Sequence, residues 1–355
     1  MHINITGYSQ TKFGEHYDKS LQDLILEVTK DLDLSNLDQI FVGNMLAIST
    51  QGQGHLNSLV AGILQTNIPI FSIESACASG GFAVHLATQA LKSGQAKKVL
   101  VLGVEKMTDQ PTCQINKLLM QAGSEQERQA GLSFAEAYAF MAKEYADTFG
   151  LTKADLNQIS IQMHANACSN PNAQFQRAIT QDQINQAPII ADPFTMYDCS
   201  PISDGAAAII LEAEDQPAIE IKQTAIATDT PAFYNRSVTH HIPATQIAAS
   251  KLDFTRAEVD VAELHDCFTF ALIMALEDIG FIPEGQAAKK FKNLPTLINP
   301  SGGLKACGHP VGATGVKQVA EIAKQLTENP NFKTGLTHNV GGTGGSCFIS
   351  LITKS

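Results

Sequence analysis

The chain has 355 residues, long for one ordinary domain and comfortable for two at roughly 100–200 residues each. Its 24 Lys and Arg against 35 Asp and Glu leave a formal charge of −11, which argues against nucleic acid or an anionic membrane as partner, since both need clustered positive charge. A hydrophobic content of 44% with only 17% charged residues excludes disorder and suits a central layer sealed from water.

The first residues, Met1-His2-Ile3-Asn4-Ile5-Thr6-Gly7, read as a strand rather than a secretory leader. No run approaches the ~18 apolar residues of a membrane span, and Ile352-Thr353-Lys354-Ser355 is no peroxisomal address, so the expectation is a cytoplasmic protein. Seven scattered cysteines with no CxxC pair exclude a zinc ribbon and predict reduced thiols, most of them small buried hydrophobes.

Along the chain, residues 3–8 predict a strand, 21–32 an amphipathic helix with Leu21, Leu24, Ile25 and Val28 on one stripe, 39–47 a strand, 55–65 a helix and 69–74 a short strand. An Ala-rich helix over 78–93 leads to the unbroken apolar run Val99–Val104, the pattern of a strand covered on both faces. Residues 106–200 change character, with two helices expected over 134–148 and 153–167. That stretch reads as an insertion laid over an α/β layer, which resumes at Gly205–Leu211. The second half echoes the first. Ser75–Gly81 opens a small-residue helix leading to a strand, and Gly308–Gly315 opens another, through Gln325, leading to Gly335–Val340. The expected boundaries are 1–213 and 214–355, with the insertion inside the first.

Four segments carry chemistry. Cys77 sits where an apolar strand turns into a helix rich in Ala, Ser and Gly, where helix amides favour a thiolate; the alternative is a buried structural thiol. His309, in Gly308-His309-Pro310, projects from a glycine-rich loop and has the chemistry of a base for a nucleophilic thiol; the alternative is a capping or surface histidine. His265-Asp266-Cys267-Phe268 places a second thiol beside a second imidazole at a strand end. As a metal site it lacks partners at usable spacing, and no metal is expected. Residues 338–345 hold four glycines in five positions, suited either to an oxyanion hole or to a turn between two strands.

Together these segments resemble the thiolases, in order and across essentially the whole chain. Ser75-Ala76-Cys77-Ala78-Ser79-Gly80-Gly81 matches the nucleophile motif and Gly308-His309-Pro310 with Gly312-Ala313-Thr314-Gly315 the base motif. Gly103-Val104-Glu105-Lys106-Met107 and Tyr197–Ala208 match the segments that flank the family's loop domain. Two departures point to a branch. Where the common two-cysteine thiolases have Asn-Glu-Ala-Phe this chain has His265-Asp266-Cys267-Phe268, and where they carry a second catalytic Cys it has Asn339. Both changes resemble the sterol-carrier-protein-type and archaeal acetoacetyl-CoA thiolases, as does Asn166–Phe175.

The resemblance implies a five-layered α-β-α-β-α sandwich of two similar halves with an inserted loop domain. It implies ping-pong acyl transfer: His309 deprotonates Cys77, which takes an acyl group from a CoA thioester, and Cys267 removes the α-proton of a second acetyl-CoA or serves the reverse thiolysis. His309 and a water on His265 would hold the enolate oxygen. The backbone amides of Cys77 and the Gly344 region would hold the thioester oxyanion. Cys347 is a rival second thiol, placed behind Cys267 because it falls in a final strand. No tightly bound cofactor is implied beyond CoA thioesters as substrate and product, and Arg177, Lys117 and Lys143 are the candidate phosphate partners. The implied partners are a second or further copies of the chain, as homodimer or homotetramer, and a complex with a hydroxymethylglutaryl-CoA synthase and a zinc-ribbon/OB-fold protein. Ketoacyl synthases and hydroxymethylglutaryl-CoA synthases share the fold, but Cys267 together with Gly308-His309-Pro310 speaks against both. A non-catalytic acyl-CoA or lipid-binding subunit would be expected to break one of the four motifs, and none is broken.

Overall fold

The chain lays down the same five-strand order twice. In the computed structural model, which describes residues 2–355, the first half begins with β1 (His2–Gln10), α1 (Leu21–Thr29), β2 (Gln39–Gly43), α2 (Ala47–Gln51), α3 (Leu56–Leu64), β3 (Ile70–Ile73), α4 (Ser79–Lys92) and β4 (Lys98–Glu105). The insertion carries α5 (Thr112–Leu119), α6 (Glu125–Gln129), α7 (Phe134–Phe149), α8 (Lys153–Ala167), α9 (Gln181–Asn185) and the hairpin of β5 (Ile189–Ala191) and β6 (Phe194–Thr195). The half closes on β7 (Gly205–Glu214). The second half runs β8 (Ile219–Thr228), α10 (Pro243–Ser250), β9 (Val261–Glu263), α11 (Thr269–Asp278), α12 (Ala287–Lys290), β10 (Leu297–Ile298), α13 (Gly303–Cys307), α14 (Thr314–Glu328), β11 (Thr334–Gly341) and β12 (Ser346–Lys354).

Hydrogen bonding gives the order β3-β2-β4-β7-β1 in the first half and β10-β9-β11-β12-β8 in the second. The directions match as well: two parallel pairs at the outer end, then two antiparallel pairs. The halves join where β1 meets β8 antiparallel at Asn4 and Glu220.

Helices α4 and α14 pack on each other and on strands from both halves, so they form the central layer. Helices α1 and α3 cover the outer face of the first half-sheet, and α10, backed by α11, covers the second. This is the expected five-layered sandwich. Burial drives it, because Val84, Ala87, Leu91, Val316, Val319 and Ala323 are sealed in the middle, each large side chain contributing about 1.5–3 kcal/mol. Close approach of α4 and α14 needs glycine. A Cβ on Gly80 would stand 2.7 Å from the Gly312 carbonyl oxygen, and one on Gly315 would strike the Gly81 backbone nitrogen.

Several expectations change. The strand over 39–47 stops at Gly43, because the Asn44 side chain turns back to donate to the Val104 carbonyl at 2.8 Å and to Glu105 at 2.9 Å, and α2 starts at Ala47. The helix expected from Gly308 starts only at Thr314, since Gly308 has φ of 113° and ends α13. The insertion forms five helices, not two, and the unread strand β8 pairs the whole length of β12. Helices α7 and α8 share one apolar core with α11, so the insertion is built into the second half's outer layer.

Candidate active site

Cys77 stands on a tight turn between β3 and α4. The turn is stitched by Ser79, whose hydroxyl accepts from the Ser75 amide at 2.9 Å and donates to the Ala76 carbonyl at 2.6 Å. Ala76 holds a left-handed φ of 51°, a conformation that costs a non-glycine residue about 1–3 kcal/mol and is common where a side chain must be aimed. Asn339, on β11, donates to the Cys77 carbonyl at 3.0 Å and locks the turn to the second half. Helix position alone predicts a lowered thiol pKa, but the structure reverses the sign. Cys77 is 8% exposed, and burial pushes its thiol up to about 12, against the Gly342 amide that is hydrogen bonded to it. The resting group is a thiol.

His309 is carried on the loop between α13 and α14, its amide held by the Ser203 hydroxyl at 3.0 Å. Its Nδ1 lies 2.7 Å from Thr314 Oγ1, and that hydroxyl donates its one proton to the Pro310 carbonyl at 2.9 Å. Thr314 must therefore accept from Nδ1–H, which leaves the lone pair on Nε2. Burial holds this imidazole down to about 3, so it is neutral and available as a base at neutral pH. Nε2 is buried without a partner.

The His265-Asp266-Cys267 segment divides its work. The His265 ring meets the His309 ring edge-on, with centroids 5.2 Å apart, and its Nδ1 lies 3.3 Å from the Asn339 amide nitrogen. Since that amide donates, Nε2 of His265 carries the proton, and this atom too is buried without a partner. Asp266 points away and accepts from the Leu304 amide at 2.6 Å, which ties this strand end to α13 and the His309 loop. Cys267 is 6% exposed. Burial raises its pKa well above the ordinary thiol range, the nearby Cys77 charge adds to this, and a hydrogen bond with the Tyr138 hydroxyl opposes it.

Tyr138 is a residue that the sequence did not single out. It comes from α7 in the insertion, is wholly buried, stacks on Phe268 at 4.8 Å and donates to the Gly342 carbonyl at 3.0 Å. Burial raises its pKa strongly, followed by the charge of Cys267, to which it is hydrogen bonded, and then that of Cys77, so it stands beside Cys267. Its only sequence signal is an aromatic in an Ala-rich helix. The Gly344 amide, expected as an oxyanion donor, instead closes a turn onto the Gly341 carbonyl at 3.1 Å, and the amide facing the Cys77 sulfur is that of Gly342. Arg236 braces this turn, donating to the Thr343 carbonyl at 2.6 Å.

Cys77, His309, Cys267 and His265 are thus all buried, with His265 against His309 and joined through Asn339 to the Cys77 turn. Cys347 does not join them: the thiol lies inside β12, takes the Thr245 hydroxyl at 3.5 Å and is pushed by burial up to about 12. Four of the seven thiols, Cys77, Cys267, Cys307 and Cys347, are buried, as expected for most of them, while Cys113 and Cys168 are exposed. Lys305 is buried in α13 with no hydrogen-bond partner for its ammonium, and burial lowers its pKa. Of the phosphate candidates, Lys143 pairs with Asp192 at 2.8 Å and Arg177 lies over the Phe175 ring at 5.9 Å. A cleft of about 520 Å³ runs past Ser75, Ala76, Gly341 and Ser346, and neither of these two residues nor Lys117 lines it.

Residues 5–215 match the family described as thiolase, N-terminal domain, and residues 228–354 match thiolase C-terminal domain-like. The acetyl-CoA acetyltransferase of Methanothermobacter thermautotrophicus is 39% identical over 99% of both chains. Human sterol carrier protein 2 is 30% identical over 98% of this chain and 71% of its own length. Among solved structures, the Ltp2-ChsH2(DUF35) aldolase superposes with a TM-score of 0.82 at 21% identity, covering 99% of this chain and 98% of that one. Human mitochondrial 3-ketoacyl-CoA thiolase gives 0.78 at 18%, covering 100% and 99%. At these identities the two structures speak for the fold alone.

Proposed function

The chain belongs to the thiolase family, and from that premise we propose that it joins two acetyl-CoA molecules into acetoacetyl-CoA and CoA, or runs the reverse thiolysis, through an acyl group on Cys77. It is an acyl-CoA acyltransferase of the thiolase type and works on CoA thioesters without a tightly bound cofactor. The observation that carries the residue assignment is the buried cluster around Cys77 in which His309 Nε2, His265 Nε2 and Asn339 Oδ1 all lack partners. Buried polar atoms are normally paired: His265 Nε2–H can donate to an enolate oxygen or a water, while the His309 Nε2 lone pair and Asn339 Oδ1 need a donor, which a bridging water or, for His309, the Cys77 thiol supplies.

His309 Nε2 takes the Cys77 proton as sulfur attacks the thioester carbonyl. The Cys77 and Gly342 amides, rather than that of Gly344, receive the oxyanion. The resting Cys267 is a thiol, so it first gives its proton to the departing CoA sulfur and becomes the thiolate that then removes the α-proton of the second acetyl-CoA. The enolate oxygen is held by protonated His309 and by a water on His265 Nε2–H. Its carbon attacks the acyl group, and the released Cys77 sulfur recovers its proton from His309. Tyr138, whose proton goes to the Gly342 carbonyl, holds the glycine turn beside Cys267. Losing one oxyanion donor costs on the order of 100–1,000-fold in rate.

The proposal extends to a homo-oligomer, supported by the unpaired edge of β3 with Phe71 45% exposed, and to a cytoplasmic location, supported by the absence among the described residues of any helix able to cross a membrane. By resemblance it also extends to a complex with a hydroxymethylglutaryl-CoA synthase and a zinc-ribbon/OB-fold protein. The test of the chemistry is mass spectrometry after incubation with acetyl-CoA, followed by a CoA-dependent assay of acetoacetyl-CoA loss. We expect an acetyl adduct on Cys77, none in Cys77→Ala, and in Cys267→Ala an intact adduct with thiolysis slowed about 100-fold or more. Wild type that never acylates overturns the reading. Normal thiolysis by Cys267→Ala overturns the role of that thiol.

A further inference from the structure

Away from the catalytic thiols, the segment that enters α10 sets two consecutive histidines against Glu284, in the loop that follows α11. His240 Nε2 lies 3.2 Å and His241 Nε2 3.1 Å from one carboxylate oxygen, Glu284 Oε1. The three ligand-type atoms lie within 4.8 Å of one another. A tetrahedral zinc ion with bonds of about 2.0–2.1 Å keeps its ligand atoms roughly 3.3 Å apart, so the spacing from the carboxylate oxygen to each imidazole nitrogen is already that of a shared coordination sphere.

The rings are also held for the task. His241 Nδ1 is 2.6 Å from Asp278 Oδ1, a carboxylate whose side chain is wholly buried and whose other oxygen accepts the Ile242 amide at 2.7 Å. An imidazole that gives its Nδ1 proton to a buried carboxylate aims Nε2 outward; without metal that atom carries a proton toward Glu284, and an incoming ion displaces it to take the lone pair, the arrangement by which metal-binding histidines are commonly oriented. The His240 ring is fixed without using its nitrogens, meeting Tyr145 and Phe149 edge-on at 5.5 and 5.6 Å. Both histidines are partly exposed and Glu284 is exposed, so an ion can enter and water can fill the remaining position.

We propose that His240, His241 and Glu284 bind one divalent transition-metal ion of borderline softness, zinc being the type, with Asp278 as the positioning residue for His241. The ion staples the segment 236–242 to the loop after α11. That segment also carries Arg236, which braces the glycine turn at Thr343, so the staple anchors one support of the catalytic loop. The competing occupants of the same space are protons, which would make the three groups a hydrogen-bonded cluster with no affinity for metal.

The experiment is calorimetric titration of Zn²⁺ into the chelator-stripped full chain, with Co²⁺ as a spectroscopic probe. It is run in a Cys113→Ser, Cys168→Ser background because both of those thiols are exposed. We expect one equivalent bound and the visible band of four-coordinate Co²⁺ without thiolate charge transfer. His241→Gln and Glu284→Gln should lose binding, while Asp278→Asn should keep the stoichiometry and weaken affinity about 10–100-fold. Circular dichroism and Tm in chelator establish that the Glu284→Gln variant is folded. Dissociation constants weaker than about 100 µM in the unsubstituted site overturn the proposal. So does equal uptake by Glu284→Gln, or a Co²⁺ spectrum showing sulfur ligation.

Discussion

At the residue scale the decisive quantity is the protonation state of Cys77. Burial raises its thiol to about 12 and lowers His309 to about 3, so near neutrality the pair is thiol and imidazole, not thiolate and imidazolium. A thiol with a raised pKa loses its proton only as pH climbs, so alkylation of Cys77 by iodoacetamide should rise about tenfold per pH unit from 6 to 9 with no plateau. A preformed ion pair would give a pH-independent rate across that range, and mass-spectrometric alkylation rates separate the two. Proton transfer then belongs to the attack on substrate rather than to the resting enzyme. The four candidate side chains were legible in the sequence for two reasons: Cys77 and His309 sit in runs of small or glycine residues that have little other use, and His265 and Cys267 pair an imidazole with a thiol at a strand end. Their pKa shifts were not, since the helix-terminus argument knows nothing of how deeply the turn is buried. Tyr138 was illegible for a different reason: its partners Gly342 and Cys267 lie more than a hundred positions away, and nothing in Ala137-Tyr138-Ala139 marks one aromatic as facing a thiol.

At the scale of elements, α4 and α14 depend on the absence of side chains where they cross. Gly315 faces the Gly81 amide, and a Cβ there also meets Asn339 Oδ1, the side chain that locks the Cys77 turn. Backbone cannot yield as a flexible side chain does, so Gly315→Ala should cost at or above the upper end of the 1–3 kcal/mol typical of overpacking, about 3 kcal/mol. It should also cut acylation of Cys77 in the fraction that folds. Urea midpoints and the single-turnover acylation rate check the two effects separately; wild-type values for both would sink the close-packing account. The glycines of these helices were visible in the sequence and their purpose was inferred from them. The late start of α14 was not, because residues 308–313 carry both helix-compatible Ala and Val and the loop geometry set by Gly308 at φ of 113°. Strand β8 escaped notice because its buried alternation, Ile219, Ile221, Ala225 and Ala227, is interrupted at residue 223.

At the scale of the whole molecule, duplicated strand order leaves two edges, one at β3 and one at β10. They are not equivalent. β10 has two residues, too few to template pairing, whereas β3 presents Ile70-Phe71-Ser72-Ile73 with Phe71 45% exposed and stacked on Phe41 at 5.2 Å. Natural edge strands are blunted by charge, proline or a covering element, and β3 shows none of these in its own four residues. In the proposed homo-oligomer the cover is a second β3 related by a two-fold axis, since an isologous contact lets one apolar patch satisfy itself. Sequence patterning marked this strand as apolar but could not say that it would be an edge, because strand order is a property of the whole sheet. We expect sedimentation equilibrium to give at least twice the chain mass for wild type and a single-chain mass for Phe71→Lys, which sets two lysines against each other at such a contact. Because β3 runs directly into the turn at Ser75–Ser79, the monomeric variant should also acylate Cys77 more slowly, by roughly tenfold if about 1.4 kcal/mol of positioning energy is lost. A monomeric wild type, or a Phe71→Lys variant that stays oligomeric, would show that the β3 edge is covered by something other than its own copy.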